Sequence, residues 1–329
     1  MNITLLGAGA WGTALAIAFA GKHAVTLWSR EEDVAADLCE TRENKRFFPG
    51  YRLPDPVVVT TDFSAAIADA GLMIVSTPIA GLRPTAERLK ALGNRVPVLW
   101  VCKGFEAGSG KLPHQVVGEV LGRDAVFGAL SGPSFAEEVA AGQPTAVALA
   151  CSDPAFAREA AKALHTSRLR IYANDDLVGV EVGGAVKNVL AIASGVCDGL
   201  GLGLNSRAAL MTRGLAEIAR LGVALGAQRE TFMGLAGMGD LILTCTGDLS
   251  RNRRVGLALA QDKSLPQILE ELGHVAEGVY TAREVDRLAR ELGVDMPISA
   301  AVAGVLDGRM NARAAVEALM ARDPKEEIA

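Results

Sequence analysis

The chain of 329 residues carries 33 Lys and Arg against 38 Asp and Glu, so its net charge is −5, and half of its residues are hydrophobic. That length suggests about two domains, and the composition is too apolar for a disordered chain. The acidic balance, without a long basic run, argues against binding to nucleic acid or to an anionic membrane. Any anion recognised here should therefore be small.

The cysteines and the beginning of the chain indicate its compartment. Five cysteines are scattered without a CxxC pair, which argues against a disulfide framework and a zinc site and fits a reducing cytoplasm. The first residues lack the basic start of a signal peptide, and no apolar run reaches about 18 residues. We expect a cytoplasmic protein without a metal site or a membrane-inserted segment.

Strands and helices alternate along the first half of the chain. A strand over 2–6 precedes a glycine-rich turn over 7–12 and a helix over 12–21. Further strands are predicted over 25–28, 57–60, 72–76, 96–101, 125–130, 145–149 and 168–172. Their nearly continuous apolar runs are typical of a parallel sheet covered on both faces. The pattern predicts an α/β fold with a Rossmann-type doubly wound sheet.

Helical periodicity replaces this alternation from about residue 177. Helices are predicted over 177–199, 206–224, 228–234, 251–261, 264–272, 278–292, 298–307 and 312–321. We therefore expect a dinucleotide-binding Rossmann domain over 1–178 and an all-α, substrate-binding C-terminal domain over 179–329. Ligands of open α/β sheets bind beyond the carboxyl ends of the strands, so the active site should lie between the two domains.

The turn after the first strand carries a dinucleotide fingerprint. Gly7-Ala8-Gly9-Ala10-Trp11-Gly12 matches G-x-G-x-x-G between a strand and a helix, the context that makes this motif specific. Gly7 would allow the tight turn, Gly9 the close approach of a pyrophosphate, and Gly12 the packing of helix on strand. An ordinary glycine turn is the alternative.

The end of the second strand bears on the choice of cofactor. An NAD-selective site usually places an acid there to bind the ribose 2′-hydroxyl. Here Ser29 stands at the acid position and Arg30 follows it, which favours the 2′-phosphate of NADP(H), with NAD(H) tolerated. Alternatively, Arg30 is a surface residue that pairs with Glu31 or Asp33.

Lys187 is the strongest candidate for an acid–base catalyst. On a helix, its own face would hold Gly183, Gly184, Ala191 and Ser194, all small and uncharged. Partial burial there would lower the pKa of the ammonium toward the range of a general acid–base. The alternative is a lysine whose charged end reaches solvent from a buried helix.

Other polar residues stand where a phosphorylated substrate would bind. Lys103 follows a strand, and Ser134 precedes a helix that its hydroxyl would either cap or leave for the substrate. Asp240 lies in an apolar, glycine-rich segment and needs a partner such as a lysine. Ser250-Arg251-Asn252 begins a helix, where a guanidinium and backbone N–H groups would hold a phosphate; a solvated basic helix start is the alternative.

Together these motifs resemble those of the bacterial NAD(P)-dependent glycerol-3-phosphate dehydrogenase family over nearly the whole chain. The resemblance rests on Gly-Ala-Gly-Ala-Trp-Gly at 7–12, Lys103-Gly104, Ser-Gly-Pro-Ser-Phe-Ala at 131–136, Gly-Gly-Ala-Val-Lys-Asn at 183–188, Gly-Asp-Leu-Ile-Leu-Thr-Cys-Thr at 239–246, Ser-Arg-Asn-Arg-Arg at 250–254 and Val-Ala-Glu-Gly at 275–278. It implies a homodimer that reversibly reduces dihydroxyacetone phosphate to sn-glycerol 3-phosphate for glycerophospholipid synthesis.

The resemblance also implies roles for individual residues. Lys187 would be the general acid–base. The substrate-binding residues would be Lys103, Gly132, Ser134, Lys187, Asp240, Ser250, Arg251 and Asn252. With the fingerprint included, the residues that bind NADP(H) or NAD(H) would be Gly7, Gly9, Ala10, Trp11, Gly12, Arg30, Lys103, Ala136, Arg251, Val275 and Glu277.

Two other classes of protein share part of this pattern. The β-hydroxyacid dehydrogenases also combine such an N-terminal fold with a catalytic lysine, but there an asparagine follows the lysine by several residues, whereas Asn188 is adjacent to Lys187. A redox sensor that binds a dinucleotide without turnover would need neither the buried lysine nor the Arg251-Asn252 pair.

Overall fold

The first half of the chain is organised by an open sheet. The computed structural model describes residues 1–122, 124–272, 276–323 and 326. Its strands are β1 (Asn2–Leu6), β2 (Ala24–Trp28), β3 (Glu43–Asn44), β4 (Phe48–Arg52), β5 (Val58–Thr60), β6 (Leu72–Val75), β7 (Val98–Trp100), β8 (Phe127–Ser131), β9 (Thr145–Cys151) and β10 (Leu169–Asn174). Within these described residues, eight strands form one sheet in the order β10-β9-β8-β7-β6-β1-β2-β5.

Helices cover both faces of this sheet. They are α1 (Ala10–Phe19), α2 (Glu32–Glu40), α3 (Phe63–Ile67), α4 (Leu82–Ala91), α5 (Pro113–Leu121), α6 (Ala136–Ala140) and α7 (Pro154–Leu164). Ile3 and Leu5 of β1 are buried in one hydrophobic cluster and Leu6 in another, so apolar residues face both sides, as predicted. The expected Rossmann-type doubly wound architecture is confirmed.

One strand direction departs from the expected parallel pattern. All neighbouring pairs in the sheet are parallel except β8 and β9, which are antiparallel. The five-residue α6 between them is only about 7.5 Å long, too short to carry the chain back across the sheet. β9 therefore starts at the edge where β8 ends.

A small hairpin, β3–β4, was not predicted. Asn44 of β3 is fully buried, and its side-chain amide donates to Ala8 O (2.8 Å) and Thr13 Oγ1 (2.9 Å). Its side-chain oxygen accepts from the backbone N–H of Phe47 (3.0 Å). These side-chain bonds hold the hairpin against the fingerprint turn, and hydrophobic periodicity carries no sign of them.

The second half is helical, as predicted. Its helices are α8 (Leu177–Gly199), α9 (Gly203–Ala224), α10 (Asp240–Thr246), α11 (Arg251–Leu259), α12 (Leu265–Leu272), α13 (Glu277–Leu292), α14 (Pro297–Leu306) and α15 (Ala312–Met320). The predicted helix over 228–234 is a 3₁₀ turn (Arg229–Met233), and a π turn (Leu235–Gly239) leads into α10.

The central helix is α8, around which the other helices pack. A Cβ on Gly183 would lie 2.3 Å from Ala236 O, and one on Gly195 would lie 2.0 Å from Arg253 O, so neighbouring backbones touch α8 directly. In the described part of the chain, α8 alone is long and apolar enough to cross a membrane, and 89% of its apolar window is buried inside the fold. It is the core of this half.

The two halves of the chain share their packing. β10 ends at Asn174 and α8 begins at Leu177, whereas the boundary at 178 stays a prediction. Phe105 and Leu112, from the segment between β7 and α5, are buried in the hydrophobic core of the helical half. This segment is therefore held by both halves, and it begins just after Lys103.

Candidate active site

The fingerprint turn has the geometry that its glycines predict. Gly7 has a φ of +123°, a conformation that side chains rarely adopt. A Cβ on Gly12 would lie 1.9 Å from Gly7 O, so only glycine allows α1 to start this close to β1. A Cβ on Gly9 would meet no described atom closer than Ser76 O at 4.0 Å, which leaves this side of the helix start open. The turn therefore fits a pyrophosphate at the N-terminus of α1.

At the end of β2, the structure separates the two residues that suggested NADP(H). Ser29 is fully buried, and its hydroxyl donates inward to Glu31 O (3.0 Å). The Arg30 side chain is 80% exposed and pairs with Glu31 Oε1 (2.8 Å). Arg30 thus makes the ion pair that is the alternative to cofactor binding, and the Ser29 hydroxyl is buried and already bonded within the chain.

Two lysines and one aspartate meet between the two halves of the chain, at the place where the sequence predicts the cleft. Lys187 of α8 is 7% exposed, and its ammonium donates to Asp240 Oδ1 and to Thr244 Oγ1 (2.8 Å). Lys103 donates to the other carboxylate oxygen, Asp240 Oδ2 (2.6 Å), and weakly to Gly132 O (3.4 Å). The buried carboxylate of Asp240, for which the sequence predicts one cationic partner, therefore has two cationic partners.

This environment shifts the proton affinity of Lys187. Burial lowers the pKa of its ammonium from 10.5 to about 8, and the positive charge of Lys103 also lowers it. The carboxylate of Asp240 acts in the opposite direction by stabilising the ammonium. A lysine with a pKa near 8 exchanges protons close to neutral pH, which suits a general acid–base.

Each member of this cluster is placed by its local backbone. Lys103 follows β7 and precedes Gly104, whose φ of +123° turns the chain. Asp240 is the first residue of α10, directly after the π turn. A Cβ on Gly184 would lie 2.7 Å from Ser131 Oγ and 3.5 Å from the aliphatic part of Lys103. The glycine therefore leaves room for both side chains against this face of α8.

The start of α11 lies beside the start of α13. Ser250 caps α11 by accepting from the Arg253 N–H (3.2 Å), and Asn252 Oδ1 accepts from the Gly278 N–H (3.1 Å). Arg251, between them, is exposed. Burial raises the pKa of Glu277, while the positive charges of Arg251, Lys103 and Lys187 lower it. Arg251 and Glu277 are therefore electrostatic neighbours of the lysine pair.

The turn after β8 completes this side of the cleft. Gly132 has a φ of +147°, and its carbonyl accepts from the Ser134 hydroxyl (2.8 Å) as well as from Lys103. The N-cap of α6 is Phe135, without a side-chain bond, so the capping role that we considered for Ser134 is wrong. Ala136 is the first residue of α6.

Comparison with known proteins identifies the family of the chain. A family model described as NAD-dependent glycerol-3-phosphate dehydrogenase N-terminus matches residues 2–157, and one described as the C-terminus of the same enzyme matches residues 176–317. The chain belongs to the NAD-dependent glycerol-3-phosphate dehydrogenase family. The resemblance inferred from the motifs is confirmed, together with the expected enzyme class and its NAD(P) cofactor.

The similar relatives cover the chain from end to end. The glycerol-3-phosphate dehydrogenase [NAD(P)+] of Dechloromonas aromatica is 84% identical over 100% of both chains. That of Aromatoleum aromaticum is 61% identical over 99% of this chain and 100% of its own. Among solved structures, the glycerol-3-phosphate dehydrogenase of Coxiella burnetii has a TM-score of 0.92 at 40% identity, over 98% of this chain and 99% of its own.

The structure brings five of the predicted site residues into contact with one another. Lys103, Gly132, Lys187 and Asp240 are linked by direct contacts, and Ser134 joins them through Gly132. The fingerprint lies at the carboxyl end of β1, whereas Arg30 lies beyond β2, away from the lysine pair. Trp11 is half-buried against the core, and Val275 falls outside the described residues.

Two residues of the cleft were missed by the sequence analysis. Thr244 donates to Asp240 O (2.7 Å) and accepts from Lys187, so it fixes the ammonium from the next turn of α10. Its spacing of four residues from Asp240 was the available signal. Ser131 Oγ is buried beside Gly184 without a hydrogen-bond partner among the described residues, and nothing in the sequence distinguishes it from Ser134.

Proposed function

We propose that this chain catalyses the reversible reduction of dihydroxyacetone phosphate to sn-glycerol 3-phosphate, with Lys187 as the general acid–base. The observation that carries this proposal is the buried ammonium of Lys187, held between Asp240 and Thr244 with a pKa of about 8. NAD(P)H, when bound, supplies the hydride. Lys187 donates a proton to the C2 oxygen during reduction and accepts it during oxidation.

Asp240 and Lys103 prepare Lys187 for this task. Asp240 fixes the position of both ammonium groups through its two carboxylate oxygens. Lys103 has a third N–H for the substrate, and its charge favours the loss of a proton from Lys187. Gly132 and Ser134 lie along the same side of the substrate. The hydrogen bond from the Ser134 hydroxyl to the Gly132 carbonyl keeps this turn rigid.

The substrate phosphate is bound at the start of α11. The backbone N–H groups of this helix and the exposed guanidinium of Arg251 attract an anion. Ser250 and Asn252 order the helix start through their own hydrogen bonds, and the amide nitrogen of Asn252 is the further donor. Glu277 beside Arg251 orients the guanidinium between substrate and cofactor.

The cofactor lies along the fingerprint. Gly7, Gly9, Ala10, Trp11 and Gly12 receive the pyrophosphate, and Arg30 binds the 2′-phosphate after leaving Glu31, so NADP(H) is preferred and NAD(H) is accepted. Lys103, Ala136, Arg251 and Glu277 contact the nicotinamide half, and Val275 belongs to the same set. An exposed ion pair such as that of Arg30 and Glu31 contributes only about 0–1 kcal/mol, so a phosphate displaces it readily.

We also propose a biological setting for this reaction. The product supplies glycerophospholipid synthesis, and the enzyme works in the cytoplasm as a homodimer. Leu202 and Leu204, both exposed at the start of α9, are the apolar side chains to which we assign the contact between the two copies. The boundary at 178 separates the cofactor-binding part from the substrate-binding part.

A spectrophotometric assay tests this function. The assay follows the oxidation of NADPH and of NADH by the purified protein. The substrates offered for reduction are dihydroxyacetone phosphate, unphosphorylated dihydroxyacetone and 3-oxo acids. We expect turnover with dihydroxyacetone phosphate and a preference for NADPH. Turnover confined to the 3-oxo acids would place the protein among the β-hydroxyacid dehydrogenases, and binding of NADPH without any turnover would favour a sensor.

A further inference from the structure

The β3–β4 hairpin is tied to the cofactor turn by a buried side chain. Asn44 donates to the carbonyl of Ala8, inside the fingerprint, and to Thr13 on the first turn of α1. Its oxygen accepts from the Phe47 N–H, which closes the hairpin turn over residues 45–47. A fully buried amide with these bonds fixes the turn next to the fingerprint, on the side of β2 and α2.

This anchored turn presents Arg46 to the start of α2. Arg46 Nη1 lies 3.1 Å from Asp33 Oδ2, in the first turn of that helix. Arg30, at the end of β2, lies 2.8 Å from Glu31, the N-cap of the same helix. Two guanidiniums from different segments therefore flank the residues that follow β2, where the adenosine ribose of a dinucleotide is bound in this fold.

Both arginines can exchange their present partners for a ligand. The side chains of Arg46 and Asp33 are 55% and 66% exposed, and that of Arg30 is 80% exposed. Solvent-exposed ion pairs are weak, because the ions are well solvated apart and the side chains lose freedom when they pair. A phosphate dianion offers three oxygens to two planar guanidiniums and is the stronger partner.

We propose that Arg46 is a specificity residue, which joins Arg30 in a two-arginine site for the 2′-phosphate of NADP(H). The inference rests on the proposed preference for NADP(H) and adds a second arginine to the site that recognises the 2′-phosphate. Asp33 is the opposing group: it occupies Arg46 and repels the phosphate. Lys45 is oriented elsewhere, since it pairs with Asp37 one turn along α2 (3.1 Å).

The dissociation constants of NADPH and NADH, titrated separately by calorimetry, test the site without reference to turnover. Arg46→Ala should weaken NADPH about tenfold or more and leave NADH within about twofold, because NADH lacks the phosphate. Asp33→Asn should tighten NADPH, since it frees Arg46 and removes a negative charge. Arg52→Ala, at the other end of the hairpin with its own partner Asp55, is the matched control and should leave both cofactors unchanged.

The outcomes separate this proposal from the preference on which it rests. If Arg30→Ala weakens NADPH selectively and Arg46→Ala does not, the preference stands and the two-arginine site is wrong. If Arg46→Ala weakens both cofactors equally, Arg46 acts on the shape of the turn and the proposal is equally wrong. If the unmodified protein binds both cofactors alike, the preference itself fails, and the proposal fails with it.

Discussion

Lys187 combines two opposing effects in one side chain. Burial makes its charged form unfavourable, and Asp240 restores part of the stability of that form, so the pKa settles at about 8. Because the folded pKa is below the unfolded value of 10.5, the charged lysine costs stability below pH 8, and the cost disappears as the pH rises toward 10.5. The low pKa of Lys187, which the proposed role as proton donor requires, therefore comes at a cost in stability.

Asp240→Asn should move the pH profile of reduction toward acid. Without the carboxylate, Lys187 and Lys103 repel each other unopposed, so the pKa of Lys187 falls below 8 and the protonated donor is lost at lower pH. The measurement is kcat for dihydroxyacetone phosphate reduction between about pH 5 and 10, with the fold checked by circular dichroism. Asp248→Asn, which removes an exposed carboxylate near Arg253, is the control. An alkaline limb unchanged in Asp240→Asn would show that this carboxylate does not set the pKa.

Arg251→Ala should separate phosphorylated from unphosphorylated substrate. The lost guanidinium would reduce kcat/KM for dihydroxyacetone phosphate by about 10–100-fold or more, whereas dihydroxyacetone has no phosphate to lose. Both substrates are assayed at saturating cofactor, because Arg251 is also proposed to touch the cofactor. Arg254→Ala, on the same helix start but bonded to Asp248 O, is the matched control. Equal losses on both substrates would exclude Arg251 as the phosphate anchor.

At the scale of single elements, the sequence predicts best where structure is local. Apolar runs and helical periodicity place most strands and helices within a few residues, because burial of one face dictates these patterns. The hairpin at β3–β4 and the π turn before α10 escape prediction. Asn44 bonds to Ala8 and Thr13, which are more than 30 residues away in the sequence. The close packing of Gly237 against Phe232 leaves no sign in the hydrophobic pattern. Thr244 lies one turn after Asp240 on α10, so its contact with Lys187 follows once Asp240 is placed beside that lysine.

The first turn of α14 shows how one element stabilises another. Glu217 of α9 is 1% exposed and accepts from the N–H groups of Ile298 (2.7 Å) and Ser299 (3.1 Å) and from the Ser299 hydroxyl (2.9 Å). A carboxylate at a helix N-terminus satisfies donors that have no partner within the helix. This contact lies outside the proposed cleft.

Glu217→Ala should therefore lower stability and spare catalysis. Leaving these buried donors unsatisfied should cost about 1–3 kcal/mol of unfolding free energy, measured by urea titration. Activity with dihydroxyacetone phosphate should be unchanged at temperatures where the variant is folded. Glu230→Ala, at an exposed position, should alter neither quantity. A drop in kcat without a drop in stability would contradict the purely structural role of Glu217.

At the scale of the whole molecule, the cleft between the halves was predictable, but its assembly was not. The alternation of strands and helices gives way to helices alone, and ligands of open sheets bind at the strand ends, so the cleft followed from the pattern. That Lys103 would meet Lys187 on a single carboxylate depends on the docking of the two halves. Phe105 and Leu112, buried in the helical core, carry part of that docking.

The proposed homodimer should sediment with twice the 34.2 kDa mass of one chain. Leu204, 72% exposed at the start of α9, is the large apolar side chain most suited to this contact. Leu204→Asp should shift the protein toward the monomer in sedimentation equilibrium, because a charge would be buried without a partner. Leu92→Asp, a half-exposed leucine after α4, is the control. A monomer at every concentration in the unmodified protein would contradict the dimer.

The central claim is that Lys187 moves the proton, and the kinetics of Lys187→Ala test it most directly. With NADPH and dihydroxyacetone phosphate both saturating, kcat should fall by about 10²–10⁴-fold, while the dissociation constant of NADPH stays within about twofold. Added primary amines should restore part of the rate, since they replace the missing acid. A folded Lys187→Ala protein with near-normal kcat would contradict the account.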